Sequence, residues 1–208
     1  IAKVWKNGVP TLLTDGTHPA RATAVVVSGA DVYAGGYESN ASGNAVAKVW
    51  KNGVPTILSD GTRESTPYAL AVSGSDVYLA GVAYTSLNVR TATVWKNGFA
   101  TTLTDGTHDA GAYGVFVSGS DVYVAGSENN GTVDVAKVWK NGAPLILSDG
   151  VHTANAQSVW VSGSDVYVSG TVSIAGGHSK AVLWKNGVQS DLSDGSTYGT
   201  AQAVFIRH

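Results

Sequence analysis

The chain has 208 residues, 43% hydrophobic and only 13% charged, a balance that supports a packed core and argues against disorder. Its net charge of -2 comes with no basic run able to neutralise a row of phosphates, which argues against a nucleic-acid partner. No apolar stretch approaches the roughly 20 residues of a spanning helix, which argues against membrane insertion. Without Cys there are no disulfides, thiolate metal sites or cysteine nucleophiles, and the absence of Met even at position 1 points to a mature or trimmed chain.

The 26 glycines show no Gly-X-Y period and so imply turns rather than a collagen helix. Trp-Lys-Asn-Gly begins at Trp5 and recurs at Trp50, Trp95, Trp139 and Trp184, with spacings of 45, 45, 44 and 45 residues. Asp-Gly follows each copy, at Asp15, Asp60, Asp105, Asp149 and Asp194. Ser-Gly-x-Asp-Val-Tyr then begins at Ser28, Ser73, Ser118 and Ser162. The chain therefore divides into units 1–45, 46–90, 91–134 and 135–179 and a partial unit 180–208. A period of this length with four short β patterns per unit predicts an all-β, five-bladed β-propeller of four-stranded antiparallel blades.

In chain order, the first residues form the two outer strands of a blade, C over 2–6 and D over 9–14, joined by Asn7-Gly8, a pair that suits a turn with two positive φ angles. The second unit gives the full pattern: A over 68–73, B over 76–81, C over 92–96 and D over 100–104, with Ser-Gly-x-Asp joining A to B. Strand A is apolar on both faces. Val25, Leu70, Val115, Val159 and Val204 fall on one side with the residues two further on, while Val26, Ala71, Phe116, Trp160 and Phe205 fall on the other. Small residues open it, at Ala24, Ala69, Gly114, Ser158 and Ala203, as crowding near an axis requires. The five Trp side chains are read as packing between blades, each N–H finding a partner. The chain ends in a further strand A over 202–207, so the closing blade has A, C and D but no B. Three outcomes follow: a trimmed chain, a deformed blade, or a strand supplied by another chain, the last making the open edge a route to a homo-oligomer.

The hairpin turns hardly vary between units, whereas the B–C connectors (37–44, 82–90, 127–134, 171–179) and D–A connectors (18–23, 63–68, 108–113, 152–157, 197–202) vary freely. Strand alternation places both connector sets at one end of the sheets, the candidate binding face; unconstrained drift of long connectors is the competing reading. His18, Arg63, His108, His152 and Thr197 share one register of the D–A connector, and Thr23, Tyr68, Tyr113, Gln157 and Gln202 share the position just before strand A. Both sets are candidate ligand-binding residues; a ring formed by the first would suit a metal or anion, but its members lie far apart on neighbouring blades and read rather as exposed loop side chains. The second reads either as a ligand-binding row for a sugar or other small polar ligand, or as polar caps on the inner strands. The Asp residues of both repeated motifs read as turn formers that bond nearby backbone amides. No carboxylate pair, nucleophile elbow, phosphate loop or zincin motif is present, so no catalytic residue and no cofactor is assigned. Asn40-Ala-Ser42 and Asn130-Gly-Thr132 match the glycosylation triplet.

The phrases Val-Trp-Lys-Asn-Gly, Leu-Thr/Ser-Asp-Gly and Val-Ser-Gly-Ser-Asp-Val-Tyr-Val-Ala-Gly resemble the tandem β-propeller repeats of secreted or surface-attached bacterial proteins. The resemblance spans the chain and implies an extracellular or cell-surface location. Repeat number and length are also similar in plan to the five-bladed tachylectin-2 type of lectin, which implies a non-enzymatic, lectin-like module binding N-acetylated sugars between blades; no sugar-contact motif carries over. The alternative is a structural, self-assembling propeller, natural or engineered, without a small-molecule ligand.

Overall fold

The computed structural model describes residues 1–207; His208, the last residue of the partial fifth unit, lies outside the described residues. The fold is all-β. A two-stranded sheet of β1 (Lys3–Lys6) and β2 (Val9–Leu12) precedes four antiparallel sheets of four strands each. The first comprises β3 (Ala20–Ser28), β4 (Asp31–Ser39), β5 (Ala45–Lys51) and β6 (Val54–Ile57). The second comprises β7 (Ser65–Ser73), β8 (Asp76–Tyr84), β9 (Arg90–Lys96) and β10 (Phe99–Thr102). The third comprises β11 (Ala110–Ser118), β12 (Asp121–Asn129), β13 (Asp134–Lys140) and β14 (Ala143–Ile146), and the fourth β15 (Ala154–Ser162), β16 (Asp165–Ser173), β17 (Ser179–Lys185) and β18 (Val188–Asp191). Strand order follows chain order in every sheet. No helix among the described residues is long and apolar enough to cross a membrane.

The Asn-Gly pairs form the expected turns, with positive φ at both residues: 50° at Asn97 and 91° at Gly98 in the second sheet. Strands β1 and β2 are shorter than the expected 2–6 and 9–14, whereas the first two strands of each four-stranded sheet are longer than the sequence suggests. They continue to pair beyond the apolar stretch, so that β7 begins at Ser65 rather than 68 and β8 ends at Tyr84 rather than 81.

Neighbouring sheets are held by one repeated contact. Trp95 of the second sheet lies against Ala47, Val49 and Leu58 of the first; Trp139 lies against Ala92 and Val94, and Trp184 against Ala136, Val138 and Leu147. Trp50 closes the series against Ala2, Leu13 and Val4 of the two-stranded sheet. These four rings are at most 1% exposed. Trp5 departs from the expectation at 63% exposure, because the apolar face that would cover it, Ala181, Leu183 and Leu192 on the fourth sheet, does not reach it; Leu192 is itself 58% exposed. The indole N–H groups of Trp50 and Trp184 also depart from expectation and find no acceptor, their neighbours being aliphatic.

The first strands of the four sheets converge. Phe116, Trp160 and Phe205 meet in succession with ring centroids 4.6 Å apart at each step, the first pair tilted at 48° and the second edge-on at 68°. A Cβ on Gly114 would lie 3.0 Å from Gln157 O and Ser158 Cα, which is why small residues recur there. The arrangement is propeller-like in plan but does not close. Residues 202–207 follow β15, with Val204 N within 3.4 Å of Ser158 Oγ, yet they form no strand, contrary to expectation. A strand needs a ladder partner, and the second strand that would supply one is missing from this unit.

Candidate functional site

The two ends of the sheets are built differently, and hydrogen bonds assign each connection to its end. At one end the Ser-Gly-x-Asp and Lys-Asn-Gly turns interlock. Asp31 Oδ1 accepts from Asn52 Nδ2 at 2.7 Å and Asp31 Oδ2 from Lys51 Nζ at 2.7 Å, while Asn52 Oδ1 accepts from Val32 N at 2.8 Å. The same set recurs for Asp76, Lys96 and Asn97; for Asp121, Lys140 and Asn141; and for Asp165, Lys185 and Asn186. Each ammonium also lies 5.2–5.3 Å from the ring centre of Tyr33, Tyr78, Tyr123 or Tyr167. These aspartates therefore join two hairpins; the reading as local amide-bonding turn formers is corrected for this set. It holds for the Asp-Gly set, in which Asp15, Asp60, Asp105, Asp149 and Asp194 accept from the backbone N–H two residues on.

The lysine bond, followed by the asparagine bond, holds the carboxyls of Asp31, Asp76, Asp121 and Asp165 below the usual value of 3.8. A carboxyl lowered in the folded state contributes stability that is complete above its unfolded value and is lost as pH falls through the folded one. Asp149, pulled down to about 2 by the side-chain bond from His152, acts in the same direction. The melting temperature is therefore expected to fall on acidification from about pH 4 towards pH 2, and Asp121→Asn to remove part of that dependence in low salt. Parallel thermal melts of the two proteins check it.

The opposite end carries the variable connectors. Asn40 Nδ2 donates to Gly61 O at 2.8 Å and Asn130 Nδ2 to Gly150 O at 2.9 Å, tying B–C connectors to the Asp-Gly turns that lead into the D–A connectors, on the same end, as expected. The row Thr23, Tyr68, Tyr113 and Gln157 has a feature the sequence reading missed: each residue is the extra one of a β-bulge. Pairing skips from Ala22 to Ala24, Pro67 to Ala69, Ala112 to Gly114 and Ala156 to Ser158, opposite Gly35-Gly36, Ala80-Gly81, Ala125-Gly126 and Ser169-Gly170. The glycine makes the bulge possible, since a Cβ on Gly126 would stand 2.0 Å from Gly111 O. The signal was a glycine fixed in every unit opposite a position that varies.

The bulges re-aim their side chains along the connector end. Tyr68 and Tyr113 meet with centroids 5.8 Å apart and planes at 39°. Burial, then Tyr113, raises the Tyr68 phenol above 10, so it is a neutral hydrogen-bonding group near neutrality. Arg21, Thr23, Tyr37, Thr66 and Tyr68 line a cleft of about 540 Å³ between the first and second sheets. Thr23 has a structural duty as well: its hydroxyl lies 2.8 Å from Pro67 O and 3.2 Å from Gly35 O, bridging two sheets. Gln202 is not brought into the row; it lies in the unpaired tail, its amide bonded to Thr200.

The outer row stays apart from this cleft. His152 Nδ1 is 2.8 Å from Asp149 Oδ2 and His108 Nδ1 is 3.1 Å from Thr107 Oγ1, each over its own Asp-Gly turn. Arg63 and Thr197 are exposed and His18 is half-buried. Among the described residues no three His, Asp or Glu side chains come together as a metal group. The sequence matches no protein-family model, and no curated protein is similar enough to be matched to it.

Proposed function

We propose that the chain is a non-enzymatic binding module on a five-bladed propeller plan, acting outside the cell or at its surface, whose ligands are small polar molecules or glycans. The observation that carries this reading is the row of bulged residues opening on the cleft of Arg21, Tyr37, Thr66 and Tyr68. Phenol faces suit the apolar faces of a sugar ring, and guanidinium and hydroxyl groups suit its oxygens. Weak sites repeated between sheets multiply in avidity on a multivalent surface. Tyr68→Ala is expected to weaken binding of the best ligand from a glycan array by about tenfold or more, the range of losing one aromatic anchor. Array silence, with no ligand-induced rise in melting temperature, contradicts the reading.

A second reading, a structural role by head-to-tail association, is favoured by the two unmatched halves of the repeated tryptophan contact, Trp5 at one end and Ala181, Leu183 and Leu192 at the other. Light scattering that finds a monomer at every concentration contradicts it.

A further inference from the structure

The outer edge of β1 is an unfilled strand position, and the four complete sheets show what fills its equivalent. β5, β9, β13 and β17 are each paired on both sides, whereas β1 pairs with β2 alone. Between β1 and β3 lies an apolar groove of about 610 Å³ lined by Val4, Trp5, Val25 and Val27. Val25 and Val27 are 56% and 67% exposed, while their counterparts Val159 and Val161 are covered by Tyr123 and Ala125 of β12 in the preceding sheet. Lys3 and Lys6 border the groove, and neither side chain has an ion pair or hydrogen bond among the described residues. Their counterparts in the third sheet, Lys137 and Lys140, pair with Glu128 and Asp121 at the two ends of β12; in the first sheet, Lys48 and Lys51 pair with Glu38 and Asp31 in the same way.

We propose that this groove is a docking site for an extended segment with the pattern Asp-Val-Tyr-apolar-Ala-Gly-x-Glu, added as a strand antiparallel to β1. The register is that of β12 on β13, in which Tyr123 faces Lys140, Val124 faces Trp139, Ala125 faces Val138 and Gly126 faces Lys137. Transferred to β1, the tyrosine faces Lys6, the apolar residue Trp5, the alanine Val4 and the glycine Lys3. The acids seven residues apart then reach Lys6 and Lys3, and the tyrosine and alanine cover Val25 and Val27. Main-chain bonds to the edge supply affinity, and the two charge pairs set register and direction.

The test uses the full chain and a fluorescein-labelled peptide, Ser-Gly-Ser-Asp-Val-Tyr-Val-Ala-Gly-Ser-Glu-Asn, read by anisotropy. Saturable binding is expected, with new hydrogen-exchange protection on β1. The double variant Lys3→Glu and Lys6→Glu should weaken binding at least about tenfold, and a peptide carrying lysines in place of its two acids should recover binding to that variant. Lys6 is exposed and Lys3 half-buried, and an unchanged melting curve shows that folding is intact. No saturation up to about 1 mM, equal affinity of both peptides for both proteins, or protection away from β1 overturns the proposal.

Discussion

Replacing Trp139 with alanine is expected to cost about 3–5 kcal/mol of stability, the range for removing a large buried aromatic, whereas Trp5→Ala should change stability by less than about 0.5 kcal/mol. The two residues are identical in type, flanking sequence and repeat position, and differ in what lies opposite. Trp139 is 1% exposed against Ala92, Val94, Ala110 and Ala112, side chains too small to collapse into the space it would leave. Trp5 is 63% exposed and has no such surface. Denaturant titrations of both variants beside the parent check the contrast. Equal losses would mean that the contact between sheets does not carry the stability assigned to it here.

The second large effect is expected at Gly126. Alanine there sets a Cβ 2.0 Å from Gly111 O and 3.0 Å from the Trp139 ring, so the bulge at Tyr113 must flatten or the two strands must part. Overpacking of this kind against backbone costs about 3 kcal/mol or more. Gly119→Ala makes the comparison: it meets no atom within 4 Å at a φ of +59°, and its cost is the left-handed penalty of about 1 kcal/mol. Because the bulge aims Tyr113, the Gly126 variant should also lose ligand binding, and the Gly119 variant should keep it. Melting curves and binding isotherms of the pair separate the two glycine roles, and similar behaviour would deny the bulge its part in the site.

Architecture was legible in the sequence where one residue pair admits one backbone conformation. Asn97-Gly98 and its four counterparts specify turns with positive φ, and the fixed spacing of those turns specifies the hairpins. Tryptophan at a constant register likewise marked the contact between sheets. Features that depend on two distant segments were harder to see. The extra residue at Tyr68 or Tyr113 has no local signature, because a bulge is defined by its partner strand, in which Gly81 and Gly126 yield to a carbonyl. The bond from Asn97 to Asp76 spans 21 residues of sequence and appears there only as two motifs that always occur together. Residues 202–207 repeat the composition of an inner strand, yet composition cannot supply the ladder partner they lack. Of the two candidate rows, the one before the inner strands gained a cleft and a geometric cause; in the outer row His108 and His152 are bonded beside their own turns and Arg63 and Thr197 are exposed.

A single repeated contact, a tryptophan against the small apolar face of the preceding sheet, holds the frame and leaves its first and last sheets unmatched. Native-state hydrogen exchange of the isolated chain measures this strand by strand. Strands β5, β9 and β13, paired on both edges and covered on both faces, should exchange last and with similar protection, and β1 and β2 should exchange well before them. Protection of β1 equal to that of β5 would show that the seam is closed in solution, and would contradict both the open contact and the strand site built on it.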